Sequence, residues 1–158
     1  MESFECPRLV PAKNTAVTPE RARPEDRELL AEYARHYTKD CFGTEMTEKD
    51  SLEAADAFLA CPLGFVIRQD GRPVAMAKCS RETATHAAVN EVYTLPEYRC
   101  RGYAAALVAH ISGLILKSGK IPLLYTDLSN PASNKAYTGV GFVPRGRVDE
   151  IRLEWTKN

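Results

Sequence analysis

The run Leu95-Pro96-Glu97-Tyr98-Arg99-Cys100-Arg101-Gly102-Tyr103-Ala104 holds the residue types that most directly suggest chemistry. A helix is expected to begin inside it. The first turn of a helix leaves backbone N–H groups without internal partners, and the helix dipole favours negative charge there. Such a turn binds phosphate and similar anions. Gly102 removes a side chain where an anion must approach the backbone, and Ala104 keeps the next turn small. Arg99 and Arg101 add positive charge. The run lacks the Gly-Lys-Ser/Thr of a Walker loop and the Gly-x-Gly-x-x-Gly of a dinucleotide site. Taken alone, it reads equally well as a basic strand-to-helix turn with no ligand.

Other reactive side chains are dispersed. Cys6, Cys41, Cys61, Cys79 and Cys100 are odd in number and share no Cys-x-x-Cys spacing. That argues for reduced thiols in a cytosol, with neither a disulfide framework nor a metal site. His36 and His110 are expected to be structural, and His86 is a weak candidate base. Lysine plus arginine number 21, as do aspartate plus glutamate. This balance favours neither nucleic acid nor an anionic membrane as partner. The opening MESFECPRLV lacks the apolar core of a signal peptide, and the apolar stretch from Tyr103 to Leu116 is too short to span a bilayer. A cytoplasmic protein is expected.

The elements that must position these groups follow from periodicity. A chain of 158 residues suits one domain, with roughly 70% of its unfolded surface buried. Residues 1–22 read as a loose arm, with one strand near Arg8–Ala12. Pro24 opens a helix carrying Leu29, Leu30, Tyr33, Ala34 and Tyr37 at helical spacing. A second helix starts after Thr47, whose Thr-x-x-Asp pattern resembles a capping box, and stops before Pro62. Phe65 and Ile67 then alternate, and Asp70-Gly71 marks a hairpin turn. Val74 to Cys79 returns as a strand, and His86 to Thr94 follows as another. A helix covers Gly102 to Lys117, with Gly119 as a plausible C-terminal cap. Ile121 to Asp127 reads as a strand and Pro131 to Val140 as a helix. Phe142 onward gives the last strands, with Ile151, Leu153 and Trp155 on one face. Strand–helix–strand implies parallel neighbours with a right-handed crossover. The expected fold class is α/β: a single mixed sheet, antiparallel in the N-terminal half and parallel later, flanked by about four helices.

Downstream lies Asn130-Pro131-Ala132-Ser133-Asn134-Lys135-Ala136-Tyr137-Thr138-Gly139-Val140-Gly141-Phe142. With the first run it resembles the GNAT acetyltransferase superfamily. That family's phosphate motif, Gln/Arg-x-x-Gly-x-Gly/Ala, is matched by Arg99, Gly102 and Ala104. Its later motif is matched in register by Asn130, Ser133, Ala136, Tyr137, Gly141 and Phe142. The segment also resembles a bacterial subgroup of predicted GNAT enzymes of unassigned substrate. The resemblance is firm from Phe65 to Phe142 and faint over the first 60 residues, where the family builds its acceptor site.

The resemblance implies direct transfer of an acetyl group from acetyl-CoA to an amine. The strands Val89–Leu95 and Ile121–Asp127 would splay, and the pantetheine arm would pair with Val92, Tyr93 and Thr94. The pyrophosphate would lie on Arg99, Cys100, Arg101, Gly102, Tyr103 and Ala104. Cys100 departs from the commoner glycine or arginine at its position. Asn130, Ser133 and Tyr137 would line the cofactor, and Asn130 could equally serve only its Asn-Pro turn. Lys135 could reach a CoA phosphate or stay solvated. Tyr137 would be the general acid for the CoA thiolate, and Glu91 the base unless an ordered water serves. Asp127 would contact the acceptor or cap the loop before Pro131. The acceptor, a small-molecule or peptide amine, is not legible, and the oligomeric state, a homodimer included, stays open. A non-catalytic acyl-CoA-binding or sensing module and a transferase for longer acyl chains are the alternatives. Retention of Tyr137 speaks against the sensor, which needs no thiolate acid.

Overall fold

The computed structural model describes residues 1–11, 16–127 and 129–149. Its strands are β1 (Glu2–Glu5), β2 (Glu20–Arg21), β3 (Gly64–Gln69), β4 (Arg72–Glu82), β5 (His86–Thr94), β6 (Ile121–Thr126) and β7 (Val143–Arg147). Its helices are α1 (Arg27–Phe42), α2 (Glu48–Ala60), α3 (Tyr103–Lys117) and α4 (Pro131–Val140). The strands form one sheet in the order β2-β3-β4-β5-β6-β1-β7. β5 and β6 pair in parallel, and the remaining neighbours pair antiparallel. The fold is the mixed α/β architecture that the periodicity predicts.

Local chemistry sets the elements. Asp70 and Gly71, at φ +51° and +77°, turn β3 into β4. The Thr47 hydroxyl accepts from the Asp50 amide at 3.1 Å and caps α2. The start of α1 is tied to β3 by Asp26, which is 3% exposed. Its carboxylate accepts from the Arg23 amide at 2.7 Å and from the Arg68 guanidinium. α3 lays Leu107, Val108, Ile111 and Ile115 into the core and contacts β3, β4, β5 and β6. α1 and α2 pack together and touch β5 and β3. Sheathed in this way, β4 is buried continuously over residues 73–79.

The N-terminal segment differs from expectation. Its strand forms at Glu2–Glu5, and residues 8–11 adopt no regular structure. Ala12, Ile151, Leu153 and Trp155 lie outside the described residues. Only Phe4 of β1 is buried, so the strand has no run of alternation to read, and Pro7 and Pro11 withhold ladder donors where a strand was expected. β1 runs between β6 and β7, with Phe4 opposite both Leu124 and Pro144. The segment continues along α4, where the Val10 amide donates to the Val140 carbonyl at 2.9 Å. Gly141 permits this crossing: at φ +117°, a Cβ there would lie 2.3 Å from the Arg8 carbonyl oxygen. No helix among the described residues is long and apolar enough to cross a membrane.

Candidate active site

The sheet opens at one seam. Parallel pairing between β5 and β6 covers His86↔Ile121, Ala87↔Pro122 and Ala88↔Leu123. Beyond this, β5 stays with β4 (Met76↔Tyr93, Ala75↔Thr94) while β6 stays with β1. The edge of β5 over residues 89–94 is left without a ladder partner on the β6 side. Val92, Tyr93 and Thr94 lie on it.

A bulge sits in that edge. The β4–β5 register shifts between Met76 and Lys78, opposite Glu91 and Val92, and Glu91 takes φ +51°. Consecutive side chains of a regular strand face opposite ways, but here Asn90 and Glu91 line one cavity. The cavity measures about 230 Å³, and α1, α2 and the segment between them supply its remaining walls, including Tyr37, Phe42, Met46 and Ala54. Glu91 Oε1 lies 3.0 Å from Lys78 Nζ. Lys78 is buried, with its ammonium 6.0 Å from the Phe58 ring centroid, so this pairing offsets its loss of water.

The start of α3 lies at the end of the same strand. Cys100 and Gly102 adopt φ +62° and +81°. Gly102 is the N-cap of α3, and nothing lies within 4 Å of where its Cβ would be. The Ala106 amide makes the bond to the Gly102 carbonyl, at 3.0 Å, so the amides of Tyr103, Ala104 and Ala105 face outward along the axis. Both arginines fold back on the loop. Arg99 donates to the Thr94 carbonyl at 2.9 Å and to Asp40 at 3.2 Å, and Arg101 donates to the Glu97 carbonyl at 3.2 Å. The Tyr103 side chain is buried, accepts from Gln69 Nε2 at 2.8 Å and stacks on the Tyr98 ring at 6.5 Å between centroids.

α4 closes the opposite wall. Asn130 Oδ1 accepts from the Ser133 amide at 3.2 Å and caps the helix. Asp127 accepts from the Ser129 amide at 2.9 Å, which holds its carboxyl below the usual range. The half-buried Tyr137 ring meets Phe142 edge-on at 6.4 Å. Burial pushes the Tyr137 hydroxyl up to about 12, against a hydrogen bond from Ser133. Tyr37 and Cys41 on α1 lie within electrostatic reach of Tyr137, and burial raises both above their ordinary values. The Tyr37 hydroxyl lies close to the Cys41 thiol and to the Glu91 backbone. Glu91, Tyr37 and Tyr137 are thereby brought together. Lys135 and Cys100 are exposed.

The histidines stand apart from this convergence. His86 bonds Glu5 at 3.0 Å and Thr85 at 2.8 Å, at the paired end of the seam. His110 packs edge-on to Phe65, with centroids 4.5 Å apart. His36 Nδ1 lies 3.2 Å from the Tyr93 hydroxyl. Sequence reasoning missed Tyr37, Asn90 and Lys78. Of these, Lys78 had a visible signal, a lone charge in the apolar run Val74 to Cys79, which calls for a buried partner. Among the described residues, no group of three or more His, Cys, Asp or Glu is placed to hold a metal ion.

Known proteins share this fold. A family model described as "Acetyltransferase (GNAT) family" matches residues 27–142. An acetyltransferase from the GNAT family of Colwellia psychrerythraea superposes with TM-score 0.72 at 15% identity, covering 90% of this chain and 52% of that one. The aminoglycoside N-acetyltransferase AAC(6′)-Iy in complex with CoA gives TM-score 0.68 at 18% identity, with coverages of 92% and 100%. A predicted acetyltransferase with acetyl-CoA from Clostridium acetobutylicum gives 0.64 at 16%, with coverages of 87% and 96%. At these identities the likeness is one of fold. This chain spans about half the length of the Colwellia protein. No curated protein matches the sequence.

Proposed function

The chain belongs to the acetyltransferase (GNAT) family, whose model takes in residues 27–142, and on that premise we propose that it transfers an acetyl group from acetyl-CoA to a primary amine in a ternary complex. The observation that carries this reading is the early end of the β5–β6 pairing beside the start of α3. A pantetheine arm adds to the free edge at Val92, Tyr93 and Thr94 as a strand would, and an N–H there polarises the thioester carbonyl. The pyrophosphate rests on the loop of Arg99, Cys100, Arg101 and Gly102 and on the amides of Tyr103 and Ala104. Asn130 and Ser133 border it through the start of α4.

The amine nitrogen attacks the thioester carbon, and the C–S bond breaks as the amide forms. The departing sulfur takes the hydroxyl proton of Tyr137. With its pKa near 12, Tyr137 holds that proton at neutral pH until a thiolate develops beside it. The proton lost by the amine passes to Glu91. Its Oε1 is engaged by Lys78, so it acts through Oε2 or a water held there. The free cysteines of the described residues suit a reducing cytoplasm.

Calorimetric titration with acetyl-CoA, paired with CoA thiol release over an amine panel, tests this reading. Binding with amine-dependent release supports it. Binding without release on any amine points instead to a sensing module, and absence of binding overturns the proposal.

A further inference from the structure

Building on that acetyl-transfer reading, we infer that the acceptor is a small primary amine with one cationic group on a flat apolar body, of the arylalkylamine kind. It sits in the cavity between α1, α2 and the β5 bulge. Size is the first argument. At about 230 Å³ the cavity falls below the roughly 300–1,000 Å³ usual for drug-sized ligands, so it takes a compact acceptor.

The walls give the second argument. Phe42, Met46, Ala34 and Ala54 form an apolar lining. Phe42 is 59% exposed and meets Tyr37 edge-on at 6.1 Å, leaving aromatic surface at the cavity for a ring to cover. Met46 adapts its shape to such a body.

The polar end gives the third. Asn90 Oδ1 is buried with no hydrogen-bond partner in the structure, and a buried acceptor left unpaired is costly. Glu91 is the one charged residue among the described cavity walls, and Lys78 already neutralises it. An amine N–H meets the Asn90 carbonyl beside Glu91, next to the free strand edge. A polyamine or an aminoglycoside would bring further positive charges with no carboxylate to receive them.

Thiol release is measured at fixed acetyl-CoA with 2-phenylethylamine, spermidine, kanamycin and a lysyl peptide, while acetyl-CoA affinity is measured separately. We expect kcat/KM for 2-phenylethylamine to exceed the others at least about tenfold. Faster turnover of a polycation, or no release with 2-phenylethylamine while acetyl-CoA binds, overturns the acceptor class. Turnover of any other amine then leaves acetyl transfer standing, whereas failure to bind acetyl-CoA overturns both. Ala54→Phe fills the cavity without touching the donor side. It should raise KM for 2-phenylethylamine about tenfold at unchanged acetyl-CoA affinity, and an unchanged KM overturns the placement.

Discussion

The two sides of the seam are made of different material. The proposed donor side consists of main chain: the unpaired edge of β5, the amides at the start of α3 and the left-handed turns at Cys100 and Gly102. The proposed acceptor side consists of side chains from α1, α2, the segment between them and the bulge, around a cavity whose polar end is Asn90 and Glu91. A main-chain site tolerates few residue types at fixed spacings, because backbone geometry leaves no alternative. A side-chain cavity is rebuilt by any substitution that changes its walls. On the acetyl-transfer proposal, one side therefore serves a single donor, and the other is free to specify the acceptor.

Four measurements break or sharpen that contrast. The largest effect is expected from Gly102→Glu, which puts bulk and negative charge on a left-handed residue facing the anion site. Acetyl-CoA affinity should fall by at least about 100-fold in a calorimetric titration, and retained affinity would show that the donor side does not rest on this loop. Next is Tyr137→Phe, for which kcat should drop on the order of 10²-fold at unchanged acetyl-CoA affinity. An unaltered kcat, with chemistry rate-limiting, removes the acid from Tyr137. Glu91→Gln touches the acceptor side alone and should lower kcat/KM for the amine about tenfold. An equal loss of acetyl-CoA affinity would mean that the two sides are not separable. The smallest effect lies in the pH profile. The acid must stay protonated, and its raised pKa keeps it so until pH approaches about 12. The kcat profile should rise as the amine deprotonates and show no falling limb below about pH 10, and a falling limb near neutrality assigns the acid elsewhere.

The same contrast explains what the sequence disclosed. The β3–β4 hairpin, α2, α3 and α4 were legible because each is marked locally, by Asp70-Gly71, Thr47, Gly102 and Asn130-Pro131 in turn. The loop of residues 99–102 was legible as a helix start. That Arg99 and Arg101 fold back onto Thr94, Asp40 and Glu97 was not, because those partners are set by tertiary approach. The bulge at Glu91 carries no glycine to announce it, and the register shift opposite Met76 and Lys78 appears only once two strands are paired. The acceptor walls come from positions such as Tyr37, Ala54 and Asn90, whose proximity no local pattern encodes. β1 was invisible for a related reason: its burial comes from β6 and β7, and Phe4 alone faces the core.

The insertion of β1 sets an order of assembly. Ser3 bonds Gly146 across 143 positions of sequence, and each edge of β1 is completed by a strand from the far end of the described chain. The β3–β4–β5 meander can form from neighbours alone. β1 must wait for β6 and β7, because the loop-closure entropy of so long a separation is recovered only when both are present. Synthesised ahead of its partners, this strand is among the last to be placed. Since the same segment is bonded to α4 at Val140, the helix carrying Tyr137 gains its final support in the closing step of folding.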